Sequence, residues 1–183
     1  MKLVLICYPE TGPSESPGKN DGGPSTRRQA DTIATEVRDR FDLAAVYASP
    51  DPLALETATA IGNAFGIIAA IAEGLEATAA DFERVAGQNG SARSGAGQEV
   101  EDLQMRAWRQ VEQIRDETDA AATVAIVCDS LAVRVLVCRL LGMPLGEARR
   151  FEIEPGSVST IDFRANRTIL ASLNETCHIE GSL

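Results

Sequence analysis

The sequence predicts an α/β fold with a mostly parallel central sheet and an antiparallel edge, and three observations predict it. First, Lys2–Cys7, Leu43–Ala48 and Ala122–Val127 are short apolar runs, each ending at a turn. Runs of that length and composition read as buried parallel strands. Second, a helical pattern follows each turn, as crossover connections require. Third, the tail changes character: Arg150–Glu154, Ser157–Phe163 and Thr168–Leu173 read as three short strands. The turns Pro155-Gly156 and Ala165-Asn166 join them as an antiparallel edge. Ligands of open α/β sheets bind at the carboxyl ends of the strands. Cys7 to Glu10, Ser49 to Leu53 and Cys128 to Ser130 are therefore expected around one pocket.

The elements follow in order. Gly12 to Pro24 is rich in Gly, Pro and Ser and reads as a loop over the crevice. A helix then starts at Ser25-Thr26, where Thr26 and Gln29 fit a capping box. Ile33, Val37 and Phe41 give it one buried stripe. After the second strand, Asp51 stands at an N-cap with Pro52 at the first helical position. That helix, Leu53 to Phe65, ends near Gly66, and Gly66 to Ile71 reads as a short third strand. Glu73 to Gln98 is an insertion expected to be flexible. Leu75 to Val85 is a candidate helix within it, and Gly87 to Gly97 a linker. A long helix from about Gln98 to Thr118 places Val100, Leu103, Ala107, Val111 and Ile114 on one face. Asp129 or Ser130 caps the apolar helix Leu131 to Leu141, which stops at Gly142-Met-Pro144.

The chain has 183 residues, 44% apolar and 24% charged, with a net charge of −10. One domain over 1–183 with a real core is expected. The acidic balance argues against nucleic acid or anionic membranes as partners. No apolar run approaches the ~20 residues needed to cross a bilayer. The N-terminus reads as a strand and a turn without a small-residue cleavage site, so a cytoplasmic location is expected. Cys7, Cys128, Cys138 and Cys177 show no C-x-x-C spacing and read as reduced thiols. No cofactor is expected, and Cys7, Tyr8, Glu10 and Asp129 fit no recognised metal spacing.

The layout resembles the histidine phosphatase superfamily, with its phosphoglycerate mutase-like three-layer sandwich. Several segments together carry the likeness. Glu10-Thr11 follow the first strand as in the family's Arg-His-Gly-Glu-Thr motif, and Arg27-Arg28-Gln29-Ala30 matches its first helix. Val46-Tyr-Ala-Ser-Pro50 and Glu56-Thr57-Ala58 match the second strand and helix. Glu101 and Arg106 fall in the long helix as the family has them. Arg134 with Leu140-Leu-Gly-Met-Pro144 matches the helix after the last parallel strand. Gly156-Ser-Val-Ser159 and Leu173-Asn174 with His178 match the edge strands and tail.

The resemblance implies a phosphatase site in which one histidine attacks phosphorus. Arginines and a second histidine grip the phosphate, and an acidic residue protonates the leaving group. The matching positions in this chain hold other chemistry. The nucleophile position is Tyr8, the first arginine is Cys7, the second arginine is Leu53, and the second histidine is Asp129. Glu76 lies one place out of register with the acid, and Ser14 matches a polar phosphate contact. The only histidine, His178, matches a structural position in the tail.

Cys7, Tyr8, Glu10, Ser14, Leu53 and Asp129 are thus the candidate site. Tyr8 reads as a plug, Asp51 and Asp129 first as helix caps, and Trp108 as core or interface. A phosphate dianion beside a carboxylate in a partly desolvated site costs several kcal/mol. These readings lead to the expectation of a non-enzymatic binding or scaffolding protein, with a second copy of the chain and a small neutral or cationic ligand as its candidate partners. The alternative is a hydrolase, phosphatase or esterase, with replaced chemistry at Cys7 or Asp129.

Overall fold

The computed structural model describes residues 1–9, 24–77 and 96–180. Its central sheet is built from β1 (Lys2–Cys7), β2 (Leu43–Ala48), β3 (Ala70–Ile71), β4 (Thr123–Cys128), β5 (Val158–Arg164) and β6 (Arg167–Glu175). The strand order is β3-β2-β4-β1-β5-β6. β1, β2, β3 and β4 pair in parallel, and β5 and β6 close one edge antiparallel. The expected fold class is what the chain adopts.

Alternation along β1 explains the three layers, because successive strand side chains point to opposite faces. Leu3, Leu5 and Cys7 pack on one face with Val124, Ile126 and Cys128 of β4. That face is covered by α3 (Ala96–Glu117) and α4 (Ser130–Leu141), through Ala107, Val111, Ile114, Val133 and Leu136. Val4 and Ile6 face the other way with Val46, Ala48, Ala125 and Val127. There α1 (Pro24–Arg40) and α2 (Pro52–Phe65) cover them, through Ile33, Val37, Ala58 and Ile61. A short helix, α5 (Cys177–Glu180), ends the described chain.

The structure corrects several expected elements. Helix α1 begins at Pro24, so Thr26 lies inside its first turn. Thr26 is buried and its hydroxyl has no partner, so it forms no capping box. The third strand shrinks to two residues because Gly66 adopts φ 70° as the C-cap of α2, and Ile68 points to solvent, 95% exposed. The candidate helix from Leu75 opens as a single 3-10 turn, Glu73–Leu75, and the rest falls mostly outside the described residues. Arg150–Glu154 is not a strand. A 3-10 turn runs Leu145–Arg150, and the Glu154 N–H donates to Asn174 Oδ1 at 2.7 Å instead of to a ladder.

Among the described residues no helix is long and apolar enough to cross a membrane. Trp108 packs half-buried against the core, tilted over Phe163 at 6.5 Å between centroids.

Candidate functional site

Strand pairing brings three loop starts together. β1 and β4 run in register, with Cys7 opposite Cys128. The Tyr8 N–H donates to the Cys128 carbonyl at 3.3 Å, and the Ser49 N–H donates to the Val127 carbonyl at 2.9 Å. The strand ends that carry Cys7, Ser49 and Cys128 therefore lie side by side at the carboxyl edge of β1, β2 and β4, where the crevice of such a sheet is expected.

Two helices begin at that crevice, each with a carboxylate at its N-cap. Asp51 accepts the Leu53 N–H at 2.8 Å, with Pro52 at the first helical position. Asp129 accepts the Ala132 N–H at 2.8 Å. Both cap expectations hold, and the reason is shared. Each strand hands over to a helix whose first amides have no intrahelical acceptor, and a short carboxylate satisfies one of them.

The caps differ in their setting. Asp129 is only 6% exposed. Burial pushes its carboxyl up to about 6, amide donors from Ala132 and Leu131 pull the other way, and the Asp51 charge adds to the rise. Tyr8 is half-buried within electrostatic reach of both acids. Burial and then the charges of Asp51 and Asp129 hold its phenol well above the ordinary range, so it stays a hydrogen-bond donor. The Cys128 thiol is pushed up by burial, Asp129 and Cys7. The Cys7 Sγ lies 3.7 Å from the Tyr8 carbonyl as a donor. Tyr8, Cys128 and Asp129 thus each feel negative neighbours as well as burial.

The structure unites Cys7, Tyr8, Asp51 and Asp129. Leu53 lies in the first turn of α2 and brings no charge. Glu10 and Ser14 lie outside the described residues. Glu76 is exposed, and its backbone carbonyl accepts from Arg106 at 3.2 Å. Arg27 is held by Glu56 at 2.8 Å. His178 sits beside the turn that opens β5, its Nε2 3.0 Å from the Gly156 carbonyl. Sequence reasoning placed Ser49 at the strand-end pocket and overlooked Ser157; both are buried serines whose hydroxyls have no partner among the described residues. Ser49 directly follows β2, and the Ser157 carbonyl accepts the Cys7 N–H at 3.0 Å. Their signal was faint, a serine beside a strand end. Among the described residues no group of three or more His, Cys, Asp or Glu is placed to hold a metal ion.

The family described as the histidine phosphatase superfamily (branch 1) matches residues 69–176, more than half of the chain. The chain belongs to that superfamily. Phosphoserine phosphatase 1 of Hydrogenobacter thermophilus is 29% identical over 80 residues, which is 44% of this chain. The matched stretch is 32% of that relative, about a third of its length. Among solved structures, phosphoserine phosphatase from Entamoeba histolytica, in complex with 3-phosphoglyceric acid, superposes with a TM-score of 0.76 at 20% identity, covering 97% of this chain and 98% of that one. Bacillus stearothermophilus YhfR gives 0.75 at 21%, with the same coverage. The alpha-ribazole phosphatase from Shigella flexneri gives 0.70 at 20%, covering 96% of each chain. At such identities the likeness is one of fold.

These findings overturn the expectation of a non-enzymatic binding or scaffolding protein. The superfamily to which the chain belongs is one of phosphatases, as are the curated relative and two of these structural neighbours. The expectation inferred absence of activity from absence of histidine.

Proposed function

We propose that this chain is a hydrolase of the phosphatase type that uses Asp129 as its general base, with Tyr8 as the donor to the reacting ester. The observation that carries the reading is the buried Asp129 carboxyl at the end of β4, pushed up to about 6. A base poised near operating pH gives the best compromise between correct protonation and driving force. Carboxyl and phenol pushed apart in acidity supply the two roles.

In the reaction, Asp129 takes a proton from water as the water oxygen bonds to phosphorus or an acyl carbon. The P–O bond to the leaving alcohol, or the acyl C–O bond, then breaks. Tyr8 donates a hydrogen bond to the departing oxygen, which takes a proton from solvent and leaves as the alcohol, and the protonated Asp129 returns its proton to solvent. Cys7 is the weaker candidate nucleophile. It is buried and sits among acids and a second thiol, which disfavour a thiolate.

Substrate charge follows from the same groups. Two like charges 4 Å apart at an effective dielectric of 20 repel by about 4 kcal/mol. With Asp51 and Asp129 at the strand ends, the preferred ester carries a neutral or cationic alcohol portion, and a phosphoryl group with a single charge is favoured over the dianion.

The test is a panel of chromogenic phosphate and acyl esters. Asp129→Asn keeps a competent cap and is expected to lower kcat by at least 100-fold, with Cys7→Ser near wild type. Tyr8→Phe is expected to lower kcat more than it raises KM. Full activity in Asp129→Asn, or loss in Cys7→Ser, would remove Asp129 from the role of general base. The 100-fold figure is about what a positioned general base contributes.

A further inference from the structure

Helix α3 carries two stripes. Leu103, Ala107, Val111 and Ile114 face the core and are fully buried. Beside them run Glu101, Met105, Trp108, Arg109 and Glu112, which with Arg139 of α4 line an open groove of about 390 Å³. Met105 is 45% exposed, and the Arg139 guanidinium lies 5.8 Å from the Trp108 ring. Trp, Met and Arg are the residue types enriched at the centres of protein interfaces.

We infer that a second copy of the chain docks on this face, with the two α3 helices antiparallel about a two-fold axis at Met105. Charge singles out the occupant. The chain carries a net charge of −10, so two copies repel over most of their surface. The groove, by contrast, balances Glu101 and Glu112 against Arg109 and Arg139. Its charges are also ordered for self-recognition. Glu101 and Arg109 each lie four residues from Met105, on opposite sides. A two-fold axis there sets each Glu101 against the partner's Arg109, a reciprocal pair of the kind an isologous interface requires.

Length supports the same choice. The 22 residues of α3 span about 33 Å, so two antiparallel copies crossing at Met105 stay side by side for several turns in each direction. The rival surface is the sheet edge at β3, where Ile68 and Ile71 are exposed. That strand has two residues and offers too few backbone hydrogen bonds to hold two chains together.

Sedimentation of the full chain across a wide concentration range tests this. Wild type is expected at twice its 19.4 kDa mass. Met105→Glu and Glu101→Arg are each expected to give monomers with unchanged circular dichroism. Adding Arg109→Glu to Glu101→Arg restores the opposite-charge pairing and is expected to restore the dimer. A monomeric wild type, a dimeric Met105→Glu, or a double variant no more associated than Glu101→Arg overturns the assignment. So does dissociation by Ile68→Asp but not by Met105→Glu, which would place the contact at the β3 edge.

Discussion

Asp129 is asked to cap a helix and to ionise in a buried place, and the two demands pull against each other. Its carboxyl moves from an ordinary 3.8 to about 6. Between those two values the folded chain holds a proton that the unfolded chain has released. Folding stability from this group is therefore complete below about pH 4, falls as pH rises through 6, and stays low above. A shift of about two units corresponds to about 3 kcal/mol. Asp129→Asn caps equally well without the charge. In urea unfolding its stability relative to wild type is expected to rise by up to about 3 kcal/mol between pH 4 and 7, while activity is lost. An unchanged difference across that range would mean that the carboxyl is not strained by burial. The Asp51 charge contributes to the rise. Asp51→Asn is accordingly expected to move the acid limb of the pH–rate profile to lower pH, and a limb that stays put would show the two carboxyls to be uncoupled.

At the scale of elements, sequence and structure agree where one local signal decides the outcome. β1, β2 and β4 were legible because each holds an apolar run of five or six residues, which has few other fates. The caps of α2 and α4 were legible because Asp51 and Asp129 sit directly before a helical pattern, and Gly66 and Gly142 end it with φ 70° and 63°. The failures fall where packing overrides the pattern. Gly66 to Ile71 is β-branched enough for a full strand, yet the chain first passes tightly over α2. A Cβ on Gly62 would stand 2.4 Å from the Ile67 carbonyl oxygen. That contact fixes where the chain leaves α2 and leaves only Ala70 and Ile71 beside β2. Gly62→Ala is normally worth a gain of about 1 kcal/mol in a helix. Here the clash is with backbone and cannot be relieved by a rotamer, so a net loss of about 2 kcal/mol is expected in thermal or chemical unfolding. A gain would mean that the Ile67 turn yields freely. The site was legible as a place and not as a chemistry. Strand ends mark the crevice in the sequence, whereas the acidity of Asp129 comes from burial by neighbours far along the chain.

At the scale of the molecule, the antiparallel edge and the tail reach back to the crevice through one turn. The Gly156 N–H donates to the Cys7 carbonyl at 2.8 Å, and the Cys7 N–H donates to the Ser157 carbonyl at 3.0 Å. Thus the residue before Tyr8 is clamped on both backbone groups by the turn that opens β5. That turn is itself held by the tail, through the His178 ring on the Gly156 carbonyl at 3.0 Å. Gly156 has φ 81°, and a Cβ there would meet Ile179 Cδ1 at 2.6 Å. Only glycine fits both the conformation and the packing of α5. Gly156→Ala therefore strains the backbone and displaces the tail, at a cost of about 1–3 kcal/mol. Since the same turn positions Cys7 and so Tyr8, kcat is expected to fall together with the unfolding midpoint. Ile179→Ala, combined with Gly156→Ala, removes the steric part and leaves the φ strain. The double variant is expected to regain part of the lost activity. If Gly156→Ala lowered stability with kcat intact, the tail would brace the sheet edge without setting the geometry of the crevice.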